Sequence, residues 1–374
     1  MKVMFYLEHF LPQSQTFVAN QLEYFGKNHD LEILTQTVDE ESKALPNLSV
    51  ISSNKLNHRI VLGLHRRGFY YLATLFYKFK IRRNINQIKP DVIICHFGPN
   101  AIDLFEAKIN IPTIVFIHGY DGSQLLRQSK NYANYLLEIS KKSNFRLLFV
   151  SEFLLGQTLQ ILPQLKADVF HLGIPPYART KKSMSEIIKI TQIGRLVEKK
   201  GIGLTIKSVL RLFELHPELK QIVQVDIIGE GPLYDELFKF IQSNQLENNI
   251  HLLGQLDHES SLKILSNSQI YLHPSIIDHE NNSEGLCIAV MEAILFQNYV
   301  ITTPYSGVSE LFENQDSLIT FCEPDVEKIS NVLYETIVQK RYEIKPNDFI
   351  IEHFNFENQM EKLEQLMENF ERAH

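Results

Sequence analysis

A carboxylate at position 292 is the least expected residue of this sequence. It lies about two turns into Leu286–Phe296, a run that reads as a helix apolar on every side and therefore buried. A buried carboxylate needs hydrogen-bond donors. Either a pair of ribose hydroxyls or an internal ion pair supplies them. The approach to this helix, Asn281-Asn282-Ser283-Glu284-Gly285, is polar. Gly285 lets backbone come close to a ligand, and free N–H groups at a helix start receive phosphate. Glu284 can accept from sugar hydroxyls, or be a surface carboxylate favoured by the helix dipole.

Two cations follow an apolar run further upstream. Ile187–Ile193 reads as a strand and leads into Gly194-Arg195-Leu196-Val197-Glu198-Lys199-Lys200-Gly201. Arg195 offers a planar fork of donors and Lys200 a point charge, a combination suited to a phosphate-bearing ligand. The plain alternative is two solvated cations ahead of a helix. Ile222–Ile228 then runs into Gly229-Glu230-Gly231-Pro232, half of a dinucleotide fingerprint with Tyr234 where the third glycine belongs. A tight turn with Pro232 at the first helical position explains it equally well. In the first half His118 ends an apolar run, so it is a candidate donor to a ligand, with His96 in the same class. The first loop, Phe10–Thr16, is polar and opens a helix; it can hold an acceptor, or Ser14 can simply cap.

These residues have to be positioned by an alternation of strands and helices. Val3–Leu7, Leu31–Thr35, Val92–Cys95, Thr113–His118, Arg146–Val150 and Val169–Leu172 are short apolar runs, separated by helical spacings such as Thr16–Phe25, Asn100–Lys108 and Ser151–Leu162. A second series begins with Ile187–Ile193 and continues through Ile222–Ile228, Ile250–Leu253, Ile270–Leu272, Tyr299–Thr302 and Leu318–Phe321. The pattern implies parallel sheets covered on both faces. Length agrees: 374 residues suit two domains. We expect two doubly wound α/β halves, residues 1–174 and 175–355, facing each other across a cleft. Phe356–Phe370 reads as a closing amphipathic helix within 356–374.

Composition narrows the classes. Three cysteines without metal-type spacing argue against a disulfide framework or zinc cluster and read as a reducing compartment. No export or membrane-spanning segment is expected, and a net charge of −7 argues against a general nucleic-acid binder. Yet no Asp or Glu occurs from Lys43 to Pro90. There Arg66, Arg67, Lys78, Lys80, Arg82 and Arg83 interleave with Phe69, Tyr70, Tyr71, Phe76, Tyr77 and Phe79. Cations among aromatics suit an anionic membrane surface, at about 1 kcal/mol per cation. The alternative is an ordinary helix whose aromatics pack inward.

Taken together, Gly194-Arg195-Leu196 with Lys200-Gly201, Gly229-Glu230-Gly231-Pro232, and Glu284-Gly285-Leu286 with Glu292 resemble the retaining glycosyltransferase family 4, of GT-B fold. The match runs over most of residues 187–312, including Pro304 and Gly307–Glu310. More loosely, Ser14-Gln15-Thr16-Phe17, His96-Phe97-Gly98 and His118 resemble the bacterial exopolysaccharide branch of colanic-acid and amylovoran type. The resemblance implies a metal-independent transfer of sugar from a UDP- or GDP-linked donor, with retention. It assigns the diphosphate to Arg195 and Lys200, phosphate contact through backbone N–H to Gly285, Leu286 and Cys287, the ribose to Glu292 and the donor sugar to Glu284. It places His118 beside the transferred sugar and brings the final helix back onto the first domain. Gly229, Glu230 and Gly231 join the donor side, and the loop near Gly254–Leu256 bears on base choice. Ser14, Gln15 and Thr16 become acceptor-side candidates. The first loop lacks the Gly-Gly-x-Gly of many members, and Asp278-His279-Glu280 has no counterpart in the scheme.

The expectation is thus a cytoplasmic enzyme on the inner face of the cytoplasmic membrane, with a lipid-linked or glycan acceptor. A sugar-nucleotide epimerase or phosphorylase is the second enzyme class; the basic aromatic region argues against both. A catalytically silent sugar-nucleotide-binding partner subunit is the non-enzyme reading, but Arg195, Lys200 and Glu284 are all present. An NAD-linked dehydrogenase is disfavoured, because no complete glycine fingerprint follows any strand.

Overall fold

A computed structural model describes residues 1–10, 16–38, 48–50, 70–177, 186–344 and 347–372. The chain divides into two compact units. The first comprises Met1–Val150, Leu155–Phe170 and Asn358–His374, the second Ser151–Leu154 and His171–Glu357.

The first unit is built on β1 (Lys2–Phe10), β2 (Asp30–Val38), β3 (Leu48–Val50), β4 (Val92–His96), β5 (Thr113–Ile117), β6 (Phe145–Phe149) and β7 (Asp168–Val169). They form one parallel sheet in the order β3-β2-β1-β4-β5-β6-β7. Every residue of β4 and β5 is buried. Such strands read as unbroken apolar runs because helices cover both faces. The last helix, Phe356–Arg372, sets Met360, Leu363 and Met367 fully inside, and its Glu364 meets His29 at 2.7 Å.

The second unit carries β8 (Ile188–Ile193), β9 (Val223–Ile228), β10 (Ile250–Leu252), β11 (Ile270–His273), β12 (Tyr299–Thr302) and β13 (Ile319–Phe321). Their parallel order is β10-β9-β8-β11-β12-β13. Its core gathers Ile190, Ile202, Val209, Val225, Ile227, Leu272, Ile301 and Leu333, all essentially without solvent contact. In each sheet the strand order reverses once, between β1 and β4 and between β8 and β11. Crevices open beyond the carboxyl ends of strands at such reversals, which is where ligands bind in α/β sheets.

The expected α/β architecture is therefore present twice, and most strand limits agree within a residue or two. Val169–Leu172 shrinks to a two-residue edge strand. Pro232 does not open a helix: the helix starts at Tyr234, and Pro232 stands in the turn before it. The buried helix spans Ile288–Leu295, with Cys287 as its N-cap. Among the described residues no helix is long and apolar enough to cross a membrane.

Candidate functional site

The loop after β8 is held by a chain of buried polar contacts. Thr205 Oγ1 donates to Gln192 Oε1 at 2.7 Å, and Gln192 Nε2 donates to the Lys200 carbonyl at 2.7 Å. Gly201 ends a short turn at φ +67°, and a Cβ there would stand 1.9 Å from the Pro274 carbonyl oxygen. Only glycine lets this loop press against the end of β11. The result is that Lys199 and Lys200 lie beside the segment 282–284, across the reversal point of the sheet.

Lys200 Nζ donates to Glu284 Oε1 at 2.7 Å, with both side chains largely buried. Lys199 Nζ donates to Asn282 Oδ1 at 3.2 Å and stands 4.0 Å from Glu284 Oε2. That second oxygen is buried and, among the described residues, accepts no hydrogen bond. Burial pushes the Glu284 carboxyl up, but the Lys200 and Lys199 charges outweigh it and hold it down to about 2. Burial pushes Lys199 down, with Lys200 and Arg195 adding to that effect. Arg195 is exposed and has no partner among the described residues. Lys199 and Lys200 thus flank one carboxylate, and the Arg195 charge acts on both lysines.

His273, missed in the sequence, closes β11 under this cluster. It is fully buried, 3.4 Å from Cys287 Sγ through Nε2 and 3.4 Å from Tyr271 Oη through Nδ1. Burial, helped by Lys200, pushes it down to about 3, so it stays neutral. The strand-end rule that singled out His118 applies to His273 as well.

Glu292 is 5% exposed and receives a hydrogen bond from His258 Nε2 at 2.8 Å on Oε1. That bond raises the His258 imidazole above its ordinary range. His258 thus occupies one of the two carboxylate oxygens and leaves the other, Oε2, without a hydrogen bond among the described residues. Gly285, Leu286 and Cys287 are buried ahead of the helix start, where no side chain caps the first N–H groups. The Gly285 carbonyl accepts from Gly307 N at 2.7 Å and Ser151 Oγ at 3.1 Å.

Gly229 and Gly231 have a packing reason. A Cβ on Gly229 would fall 2.1 Å from the Gly194 carbonyl oxygen, and one on Gly231 2.5 Å from that of Leu196. The half fingerprint lets the turn after β9 lie against the loop that carries Arg195. Glu230 accepts there through its carbonyl from Leu196 N at 2.9 Å, with its side chain exposed. Leu256 is half-buried. Asp278 closes a turn by accepting from Glu280 N at 3.0 Å and Asn282 N at 2.9 Å, while His279 pairs with Glu198. Among the described residues no three His, Cys, Asp or Glu gather as a metal site would require.

In the first unit His96 ends β4 and His118 follows the neighbouring β5, and the two touch: His96 Nδ1 lies 3.0 Å from His118 Nε2. Asp121 fixes the turn beside them by accepting from His118 N and Gly119 N, both at 3.0 Å, and from Gly98 N at 2.9 Å. Thr16 opens its helix and is half-buried; Ser14 and Gln15 lie outside the described residues. On helix Tyr70–Ile88, Phe79 is 62% and Leu75 43% exposed, with Arg82 and Arg83 exposed on the same helix. Lys80 stands 5.1 Å from the Phe76 ring centre. Lys78 instead turns to Glu106 at 3.0 Å. Arg66 and Arg67 lie outside the described residues.

Two family descriptions match the chain, "Glycosyltransferase Family 4" over residues 14–176 and "Glycosyl transferases group 1" over 178–345. WcaL of Escherichia coli (strain K12), described as a colanic acid biosynthesis glycosyltransferase, is 26% identical over 357 residues, covering 85% of this chain and 86% of that one. The amylovoran biosynthesis glycosyltransferase AmsK of Erwinia amylovora is 25% identical over 378 residues, covering 89% and 90%. The crystal structure of Anabaena Alr3699/HepE in complex with UDP superposes with a TM-score of 0.70 at 14% identity, covering 99% of this chain and all of that one.

Proposed function

The chain belongs to glycosyltransferase family 4, whose members retain anomeric configuration, and from that we propose the substrates and the residues that act on them. The donor is a nucleoside-diphospho-sugar, UDP- or GDP-linked. The acceptor is a lipid-linked or other glycan of a bacterial surface polysaccharide, and no metal is required. The cations after β8 carry this reading, because Lys200 and Lys199 flank a single carboxylate and Arg195, whose charge acts on both lysines, has no partner among the described residues.

Cleavage of the glycosidic bond places negative charge on the departing diphosphate. Arg195 and Lys200 supply positive charge for it and do the work otherwise done by a metal ion. The uncapped N–H groups after Gly285 add the partial positive charge of a helix start. Glu284 keeps its charge beside Lys200 and acts on the donor sugar. Glu292, with the oxygen that His258 leaves open, takes the ribose hydroxyls. His118 acts on the transferred sugar.

Hydrolysis of the donor in the absence of acceptor tests the reaction directly. Proton NMR of an α-linked UDP- or GDP-sugar incubated with the enzyme in EDTA should show the α-anomer of the free sugar first. A β-anomer first, or loss of turnover on chelation, contradicts the reading.

The lipid-linked acceptor draws support from helix Tyr70–Ile88, where exposed Leu75 and Phe79 stand among cations. An apolar tip beside cations suits the boundary of an anionic bilayer. Replacing Phe79, Arg82 and Arg83 by Ser should lower the fraction that floats with phosphatidylglycerol vesicles at least tenfold, and have no effect with neutral vesicles. Equal flotation by both proteins removes the membrane from the account.

A further inference from the structure

Gln21 is a polar residue in an apolar stripe. It sits on helix Thr16–Asn28, 1% exposed, among buried Val18, Leu22 and Phe25. Its Oε1 lies 2.9 Å from His96 Nε2, and the other nitrogen of His96 is the one that meets His118 Nε2 at 3.0 Å. The three side chains form a line that starts in the core and ends at His118.

A neutral imidazole carries one N–H, so each contact in such a line holds one proton and all of them must point the same way. The amide oxygen at the inner end can only accept, which decides the direction. His96 is fully buried and is pushed well below its ordinary range, first by burial and then by His118; His118 falls to about 3 through burial. Neither ring is then an imidazolium that donates both ways. The rings are also held against rotation. His96 stacks on Phe116 at 5.1 Å and 13°, with Phe5 5.9 Å away. His118 is flanked by Phe17 and Phe97, each at 4.7 Å.

We propose that Gln21 and His96 are positioning residues that fix the tautomer of His118. His118 Nε2–H donates to His96 Nδ1, and His96 Nε2–H donates to the Gln21 carbonyl oxygen. His118 Nδ1, which has no partner among the described residues, is left as a lone-pair acceptor. The proposal rests on the reading of His118 as a residue that acts on the transferred sugar. It adds a specificity: the sugar meets an acceptor there, so a donor hydroxyl that gives a hydrogen bond is preferred to a deoxy or O-methylated position.

Long-range proton–nitrogen correlation on the full chain labelled with [15N]histidine tests this, with His96→Asn and His118→Asn giving the assignments. Both rings should show a protonated Nε2 and an unprotonated Nδ1 at pH 7. In Gln21→Met, which keeps the volume and removes the acceptor, His118 should become a mixture of tautomers. The kcat should fall about ten- to hundredfold, the range seen when orienting partners of metal-bound imidazoles are removed, with the donor KM within about twofold. A wild-type His118 protonated on Nδ1 overturns the relay, and so does an unchanged His118 spectrum in Gln21→Met. The wild-type spectrum decides alone if that variant does not fold. Full activity of His118→Ala would instead remove the role of His118 in transfer while leaving the tautomer result standing.

Discussion

Lys200→Ala is expected to lower kcat by about 10²- to 10³-fold, the loss typical of removing one preorganised donor from developing negative charge. Lys200 has two tasks. It faces the departing diphosphate, and it neutralises Glu284 through a 2.7 Å contact in a largely buried setting. Its loss therefore also destabilises the fold, by about 3 kcal/mol or somewhat less, because a buried carboxylate loses its nearest partner. Lys199, 4.0 Å from the other carboxylate oxygen, limits that cost. Glu284→Gln separates the two tasks: it leaves Lys200 in place and removes the charge that holds it. Its thermal stability should drop less than that of Lys200→Ala, while transfer still falls. Steady-state transfer and thermal melts of both variants check this, and turnover within tenfold of wild type in Lys200→Ala contradicts it.

The second large effect is on stability in acid. His96, His118 and His273 are all held below the ordinary histidine range by burial, the last two to about 3. As pH falls through about 6.5 the unfolded chain takes up protons that the folded chain refuses, so stability is lost from there downward. Glu284, held at about 2, keeps its contribution above the ordinary carboxylate range and loses it as pH falls toward 2. Other groups act in the opposite direction. Asp103 is raised to about 6 by burial, Asp121 is raised by burial, and His258 is raised by Glu292, so each favours the folded state in acid. Three histidines shifted over a wider range outweigh them. The melting temperature should be level above pH 7 and fall steeply between pH 6 and 4, and His273→Gln should fall less steeply. A melting temperature that holds or rises between pH 6 and 4 contradicts the balance.

Much of the fold was legible because parallel strands buried on both faces leave unbroken apolar runs. Val92–Cys95, Thr113–His118 and Ile270–Leu272 were found within a residue of their observed ends for this reason. Edges are harder to read, since half-covered strands lose that signature; β7 is the example. Glu292 stood out because a carboxylate in a helix apolar all round is costly, and the same logic applied to Gln21 would have exposed it too. The partnership of Lys200 with Glu284 was not readable. They are 84 residues apart, and only the strand reversal between β8 and β11 brings their loops together. His258 was hidden for the same reason, 34 residues from Glu292 at the start of an ordinary polar helix.

Titration calorimetry with UDP, GDP and ADP on the wild type and on Lys200→Ala is the most direct test of the donor site. One nucleoside diphosphate should bind the wild type saturably, in EDTA, and at least tenfold more weakly to the variant. Absence of binding at millimolar concentration, or equal affinity in the two proteins, would contradict the assignment of the diphosphate to the loop after β8.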